Sequence, residues 1–333
     1  MKALFFLLLS FSAFTQENCA PAYLPQELSP LLEINRYVSW NAASVQEVSG
    51  ANCRKGIPTP ATMNALFNSF SSPARSESVN GVELQNERPE LIQAFRELTT
   101  MRTPFGDRLL PESQINLSIY PIPASCKKVL CAMENIWGTM ASKMLYMKLH
   151  YDLNSSEHSI VNSSRFTDRE LDDVLMGLGD LPPELIRAGR PNQQIVHYHR
   201  GELPSFHQDR NTQADSLMNF YDRWSEKSSP SRQYVVFHEM AHNISHHLGN
   251  LDGSPRFLET AGWIKTGEEW EKSSQFCAVS NYGSTDPDED FAETVAAYRY
   301  SPASLRDHCP GKYEYMKAVV FRGREYLNQA NCQ

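Results

Sequence analysis

The stretch that decides the fold runs from residue 229 to 248 and reads Ser-Pro-Ser-Arg-Gln-Tyr-Val-Val-Phe-His-Glu-Met-Ala-His-Asn-Ile-Ser-His-His-Leu. Its apolar residues recur at helical spacing. Pro230 suits the first turn of a helix, and Gly249 directly after the stretch is a common helix stop. We therefore predict one helix over residues 229–248.

The most informative part of this helix is His-Glu-Met-Ala-His at 238–242. Histidines four positions apart lie on one face of a helix, about 6 Å from each other, so both imidazoles can bind one metal ion. Glu239 points about 100° away from His238 around the axis, beside the ion. A carboxylate there can accept a proton from a zinc-bound water, whose pKa is lowered to about 7. The motif indicates hydrolytic chemistry.

The histidines after the motif do not extend it. The metzincin pattern requires glycine at position 245 and histidine at position 248, whereas this chain has Ser245 and Leu248. The neighbouring His246 and His247 therefore do not supply a third ligand in that pattern. The third ligand must come from farther away in the sequence.

A second group of histidines lies upstream. His197 and His199 alternate on a short β-branched stretch, residues 193–199, that we predict to be a strand, and His207 follows it. A second metal site is possible there. An ordinary strand edge or surface feature explains the same residues and stays open as the alternative.

A further helix is predicted from residue 286 to Tyr298. Asp286 suits its N-cap and Pro287 its first position, while the acidic residues that follow favour the positive end of the helix dipole. Asp288 and Asp290 are interpreted as such first-turn charges.

Residues 282–293 read Tyr-Gly-Ser-Thr-Asp-Pro-Asp-Glu-Asp-Phe-Ala-Glu and resemble the zinc site of the lethal-factor-like gluzincins, the family of the anthrax-toxin lethal factor catalytic domain. In that family a Tyr-Gly pair precedes an acidic ligand by seven residues, and the ligand opens a Glu-x-x-x-Glu helix. The resemblance implies that Glu289 is the third zinc ligand and that Tyr282 stabilises an oxyanion or donates a proton. It implies that Glu293 orients a ligating imidazole. It covers roughly residues 234–298, so substrate specificity does not carry over.

Motif and resemblance together predict a metalloendopeptidase with one Zn²⁺ per chain. Its ligands are His238, His242 and Glu289, and Glu239 is its general base. The substrate is a peptide or a protein. Two alternatives stay open: a zinc-dependent cell-wall amidase with a different groove, and a non-catalytic secreted binding protein whose zinc is structural. The expected fold class is α+β, a zincin-like domain with an active-site helix and a second ligand-bearing helix.

The chain of 333 residues is 41% hydrophobic and 21% charged, an ordinary globular balance. Its net charge of −8 argues against a nucleic-acid partner, because phosphate binding needs an excess of Lys and Arg. Lys2 followed by an apolar run at 3–14 predicts a signal peptide over 1–15, hence a secreted or periplasmic protein. That run is too short to span a bilayer, and we expect no membrane span in the mature chain.

We divide the rest into an N-terminal helical appendage or pro-segment, 16–115, and a catalytic domain, 116–333. A flexible polar loop is predicted over 71–87. Three further helices are predicted, over 89–101, 131–151 and 167–178.

The sequence has seven cysteines, and export would allow them to form disulfides. Cys126 and Cys131 are close enough in sequence to close a small loop, so we predict that they pair. No four cysteines are grouped closely enough to form a structural zinc site.

Overall fold

The computed structural model describes residues 47–48, 51–52, 57–100, 120–155, 163–186, 193–198 and 217–326. The predicted signal peptide, the domain boundary at 115–116, His199, His207 and Cys19, Cys53 and Cys332 lie outside these residues. Within them, no helix combines the length and the apolar character that crossing a membrane requires.

The part before residue 156 packs helices beside a β-hairpin. Its elements are β1 Glu47–Val48, β2 Ala51–Asn52, α1 Pro60–Asn68, β3 Arg75–Val79, β4 Val82–Glu87, α2 Pro89–Thr99, α3 Val129–Trp137, α4 Ala141–Tyr151 and β5 Leu153–Ser155. Helices α1 and α2 both pack against α4. The helix predicted over 89–101 is confirmed as α2, which ends at Thr99; residue 101 lies outside the described residues.

The prediction of a flexible loop over 71–87 is wrong for residues 75–87. Strands β3 and β4 form an antiparallel hairpin there. Asn80 and Gly81 make its turn, both with positive φ, which matches the twist of a two-residue hairpin. Val79 and Val82 flank the turn and are buried. The polar composition concealed an Asn-Gly signal between two apolar residues.

The single helix predicted over 131–151 is two helices, α3 and α4, joined by a 3₁₀ turn at Gly138–Met140. Gly138 has a φ of 59°, which glycine adopts readily and which ends α3. Met144 and Met147 of α4 are buried in the core. The predicted disulfide between Cys126 and Cys131 is present.

The middle of the chain forms a small sheet followed by the helix of the metal motif. Its elements are β6 Ser163–Ser164, α5 Asp168–Gly179, α6 Pro183–Ile186, β7 Gln193–Tyr198, β8 Leu217–Tyr221, α7 Asp222–Ser225 and α8 Ser229–His247. Strand β7 is central: β8 runs parallel to it, and it also pairs with β5 in parallel and with β6 antiparallel. The predicted strand and both predicted helices in this region are confirmed.

Helix α8 lies unusually close to α5. A Cβ atom on Gly177 of α5 would lie 2.8 Å from the backbone oxygen of Gln233 and 2.9 Å from Cβ of Val236, so glycine permits the approach. Asp173 accepts hydrogen bonds from Arg232 Nε at 2.6 Å and from Gln233 Nε2 at 2.9 Å. These buried contacts fix α8 before its metal motif begins.

The C-terminal part packs a second long helix against the other side of α8. Its elements are a 3₁₀ turn at Leu251–Gly253, α9 Pro255–Ala261, β9 Trp263–Thr266, β10 Glu269–Lys272, α10 Pro287–Tyr300, α11 Pro302–His308, α12 Pro310–Tyr315, a π-helical turn at Met316–Val320 and β11 Glu325–Tyr326. A second disulfide joins Cys277 to Cys309. This mixture of many helices and few strands is compatible with the predicted α+β class.

Candidate metal centre

Helix α8 presents the three residues of the motif as buried side chains. The exposed fractions of His238, Glu239 and His242 are 4%, 3% and 7%. The stretch before them, residues 234–237, is buried as well. The motif therefore lies in a helix enclosed by protein and is not a pair of surface histidines.

Helix α10 carries the acidic side chain that faces this motif. Asp286 is its N-cap and accepts hydrogen bonds from the backbone N–H groups of Asp288 at 2.9 Å and Glu289 at 3.0 Å. Pro287 follows in the first turn. The predicted start of this helix is confirmed. The capped first turn holds Glu289 opposite α8.

The carboxylate of Glu289 meets both imidazoles. Its Oε2 atom lies 3.2 Å from Nε2 of His238 and 3.4 Å from Nε2 of His242. The candidate ligand atoms of the three residues all lie within 4.8 Å of one another. Four-coordinate zinc with bonds of about 2.0–2.1 Å separates its ligand atoms by about 3.3 Å. The donor set and its spacing therefore fit one zinc ion.

Glu293 approaches the opposite nitrogen of the first imidazole. Its Oε1 atom lies 2.9 Å from Nδ1 of His238. A proton on Nδ1 would face this carboxylate and leave the lone pair of Nε2 for a metal ion, the arrangement that a metal-ligating histidine usually has. The structure therefore brings Glu293 to the imidazole that it was predicted to orient.

Tyr282 lies at the edge of the cluster, half-buried, with its ring centroid 5.9 Å from that of His238. Burial raises the pKa of Tyr282 far above its ordinary value, and the charge of Glu289 and a hydrogen bond to it raise it further. The phenol therefore keeps its proton. A Cβ on Gly283 would lie 3.1 Å from Cβ of Glu293, so glycine after the tyrosine lets this loop approach α10.

The charges in the cluster compensate one another. Burial acts to lower the pKa of His238, but hydrogen bonds to Glu289 and Glu293 and their charges raise it well above its usual value. Burial acts to raise the pKa of Glu289, but hydrogen bonds and charges from His238 and His242 bring it well below its usual value. The acidic groups thus attract positive charge to the place where a metal cation would bind, and binding would displace the proton.

The other candidates lie apart from the cluster. Asp290 accepts hydrogen bonds from Nζ of Lys312 at 2.6 and 2.7 Å and from the indole of Trp263 at 2.8 Å. It forms a buried ion pair with Lys312, so its role is structural and goes beyond the predicted interaction with the helix dipole. His246 bonds with Asn250 at 2.9 Å. Among the described residues, His238, His242 and Glu289 form the cluster whose ligand atoms lie close enough together to bind one metal ion.

Sequence reasoning missed one residue of the site. Tyr234 is buried and donates a hydrogen bond from its hydroxyl to Oε1 of Glu293 at 2.8 Å. Its position one helical turn before His238, on the same face of α8, is the one sequence signal for it, but spacing alone does not reveal which side chain its hydroxyl meets.

Comparison with known proteins supports a metallopeptidase. Residues 215–322 match the model of the glucose-regulated metallo-peptidase M90 family. No curated protein and no solved structure matches the chain. The matched stretch is less than half of the chain but contains α8, the Tyr282 loop and α10. Over the segment that holds the whole candidate metal centre, the chain is therefore similar to a family of metallopeptidases.

Proposed function

We propose that this protein is a zinc-dependent metalloendopeptidase whose single zinc ion is bound by His238, His242 and Glu289. The observation that carries the proposal is the convergence of these three side chains beside the buried carboxylate of Glu239. Two histidines and one glutamate are an established ligand set for catalytic zinc, which keeps a fourth position for water. The similarity to a metallopeptidase family supports a peptide or protein substrate.

Zinc, when bound, would lower the pKa of a water molecule and polarise the scissile carbonyl. In the proposed reaction Glu239 would accept a proton from the attacking water and later pass it to the leaving amine. Tyr282 donates a hydrogen bond to the carbonyl oxygen as negative charge develops there. Glu293 holds the imidazole of His238 in the tautomer that leaves Nε2 for the metal.

The proposal includes two further points: the protein is related to the lethal-factor-like gluzincins, and its catalytic domain has a zincin-like architecture. The approach of the Tyr-Gly loop to Glu293 and the hydrogen bond between Tyr282 and Glu289 support it. Export to a secreted or periplasmic location is proposed from the sequence of residues 1–15 alone.

The test combines metal content with cleavage of a proteome-derived peptide library. Glu239→Gln should keep one zinc per chain and lose roughly 10²-fold or more of the activity, because the general base is removed while the ligands stay. His238→Ala should lose the metal. Glu259→Gln, which removes an exposed carboxylate, is the matched control and should behave like the wild type.

Two outcomes would contradict the proposal. Wild-type activity in Glu239→Gln would show that Glu239 is not the general base. Cleavage of purified peptidoglycan without cleavage of any peptide in the library would instead identify an amidase. A chelator control, reversed by added zinc, shows that the activity measured depends on the metal.

A further inference from the structure

The hydroxyl of Tyr234 meets the metal centre through Glu293. It donates to Oε1 of Glu293 at 2.8 Å, and the same oxygen lies 2.9 Å from Nδ1 of His238. Tyr234 and His238 are one turn apart on α8, whereas Glu293 comes from α10. The hydroxyl of Tyr234 and Nδ1 of His238, both on one helix, thus approach the same carboxylate oxygen of the other helix.

We propose that Tyr234 is a positioning residue for the zinc site, which holds Glu293 in the orientation that aligns the imidazole of His238. The inference rests on the proposed function, because it assumes that this imidazole binds zinc.

The carboxylate of Glu293 is buried, so water has little access to replace a lost hydrogen-bond partner. The exposed fractions of Tyr234, His238 and Glu293 are 3%, 4% and 6%. In such an interior a hydrogen bond to a charged group is strong, and a lost partner is not replaced by bulk water. A carboxylate bonded by the imidazole alone would be freer to rotate about its last side-chain bond. The second donor removes this freedom.

The ring of Tyr234 is itself fixed by its neighbours. Its centroid lies 5.5 Å from that of Tyr300 and 6.4 Å from the imidazole of His238, within the range of aromatic contact. The hydroxyl is therefore presented to Glu293 by a ring that has little room to move. Phenylalanine at this position would keep the ring contacts and delete only the hydrogen bond.

The test measures the zinc dissociation constant by competition with a chromophoric chelator. A carboxylate in direct contact with a ligating histidine changes metal affinity by about 10- to 100-fold when it is removed. Tyr234 acts one contact farther out, so Tyr234→Phe should weaken zinc binding by a smaller factor, about 3- to 10-fold. Circular dichroism checks that the fold is kept.

Tyr300→Phe is the matched control. Its hydroxyl bonds to Asp180 Oδ2 at 3.0 Å, and its ring packs against that of Tyr234, so the substitution deletes an equally buried hydroxyl in the same aromatic group. It should leave the zinc dissociation constant unchanged. Equal weakening in both variants would reduce the effect to core packing and overturn the proposal.

A double-mutant cycle with Glu293→Gln decides whether the effect passes through the carboxylate. Because the amide oxygen of glutamine can still accept from the Tyr234 hydroxyl, the cycle also uses Glu293→Ala, and in that background Tyr234→Phe should no longer change the zinc affinity. An undiminished effect there, or an unchanged or tighter affinity in Tyr234→Phe alone, would overturn the inference while the zinc site stands. A wild-type chain that binds no zinc would overturn the proposed function and this inference with it.

Discussion

Glu289 and Glu293 lie one turn apart on α10, yet they face different nitrogens of one imidazole. Glu289 lies 3.2 Å from Nε2 of His238, and Glu293 lies 2.9 Å from Nδ1. Only Glu289 also approaches Nε2 of His242. The geometry therefore favours Glu289 as the ligand and Glu293 as the partner that orients a ligand.

This assignment predicts unequal effects on zinc affinity. Glu289→Ala should weaken zinc binding severely, because it removes one of three ligands. Glu293→Ala should cost about 10- to 100-fold, because it removes an orienting hydrogen bond. Zinc titrations of both variants measure the two effects. If the order were reversed, the ligand would have been assigned to the wrong turn of the helix.

Tyr282 is predicted to contribute in the transition state. Its protonated phenol can donate to a developing oxyanion, so Tyr282→Phe should lower kcat by about 10- to 10³-fold with little change in KM or zinc content. Tyr313→Phe is the control, because its hydroxyl bonds to Glu325 at 2.5 Å and Tyr313 is not part of the cluster. An unchanged kcat in Tyr282→Phe would make it a packing residue.

How far the sequence predicts the site differs from residue to residue. The roles of His238, Glu239 and His242 were predicted from their spacing on a helix. The structure places the two histidines on one face of α8, as that spacing requires. Tyr234 has the same period but looks like any core aromatic, because sequence spacing does not reveal which side chain its hydroxyl meets. Asp290 pairs with Lys312, 22 positions later, and no local pattern predicts so distant a partner.

At the scale of elements, the N-cap of α10 is the feature on which Glu289 depends. Asp286 accepts two backbone hydrogen bonds, one of them from the N–H group of Glu289 itself. Loss of this cap should loosen the first turn and therefore the carboxylate that it carries.

Asp286→Ala should lower the free energy of unfolding by about 1 kcal/mol and weaken zinc binding, because the first turn loses its cap. Asp286→Asn should restore most of both, since asparagine caps helices about as well as aspartate. Urea unfolding and zinc titration of the pair measure this. If asparagine failed to restore either quantity, the carboxylate charge would matter and the cap would not.

Element boundaries show where local sequence patterns stop being sufficient. The helices over 167–178, 229–248 and 286–298 were predictable because each combines a start signal with helical periodicity. The hairpin over 75–87 was missed because its strands are short and polar, and only Val79 and Val82 beside an Asn-Gly turn mark it. Gly138 divides α3 from α4 although the apolar period continues past it.

At the scale of the whole molecule, α8 is enclosed between α5 and α10, and the site forms where it meets α10. The contact with α5 depends on Gly177 and on Asp173, which bonds to Arg232. Gly177 and Asp173 lie more than fifty positions before the residues of α8 that they contact. Such tertiary partners cannot be read from local periodicity, which explains why the helices were predicted but their packing was not.

The two disulfides close loops of very different length, and this predicts different contributions to stability. The pairs Cys126–Cys131 and Cys277–Cys309 are separated by 5 and 32 positions. In the chain-entropy treatment, loops of these lengths correspond to about 2 and about 4 kcal/mol of unfolding free energy. The longer loop also holds the segment before Tyr282, since the backbone oxygen of Cys277 accepts a hydrogen bond from Lys312 at 2.5 Å.

Replacing both cysteines of the longer pair by serine should therefore lower the free energy of unfolding by about 4 kcal/mol, against about 2 kcal/mol for the shorter pair. Urea unfolding of the two double variants beside the oxidised wild type measures the difference. Peptide mapping without reduction must first show both bonds in the wild type. Equal destabilisation, or a larger loss from the Cys126–Cys131 pair, would show that loop length does not govern how these bonds stabilise the molecule.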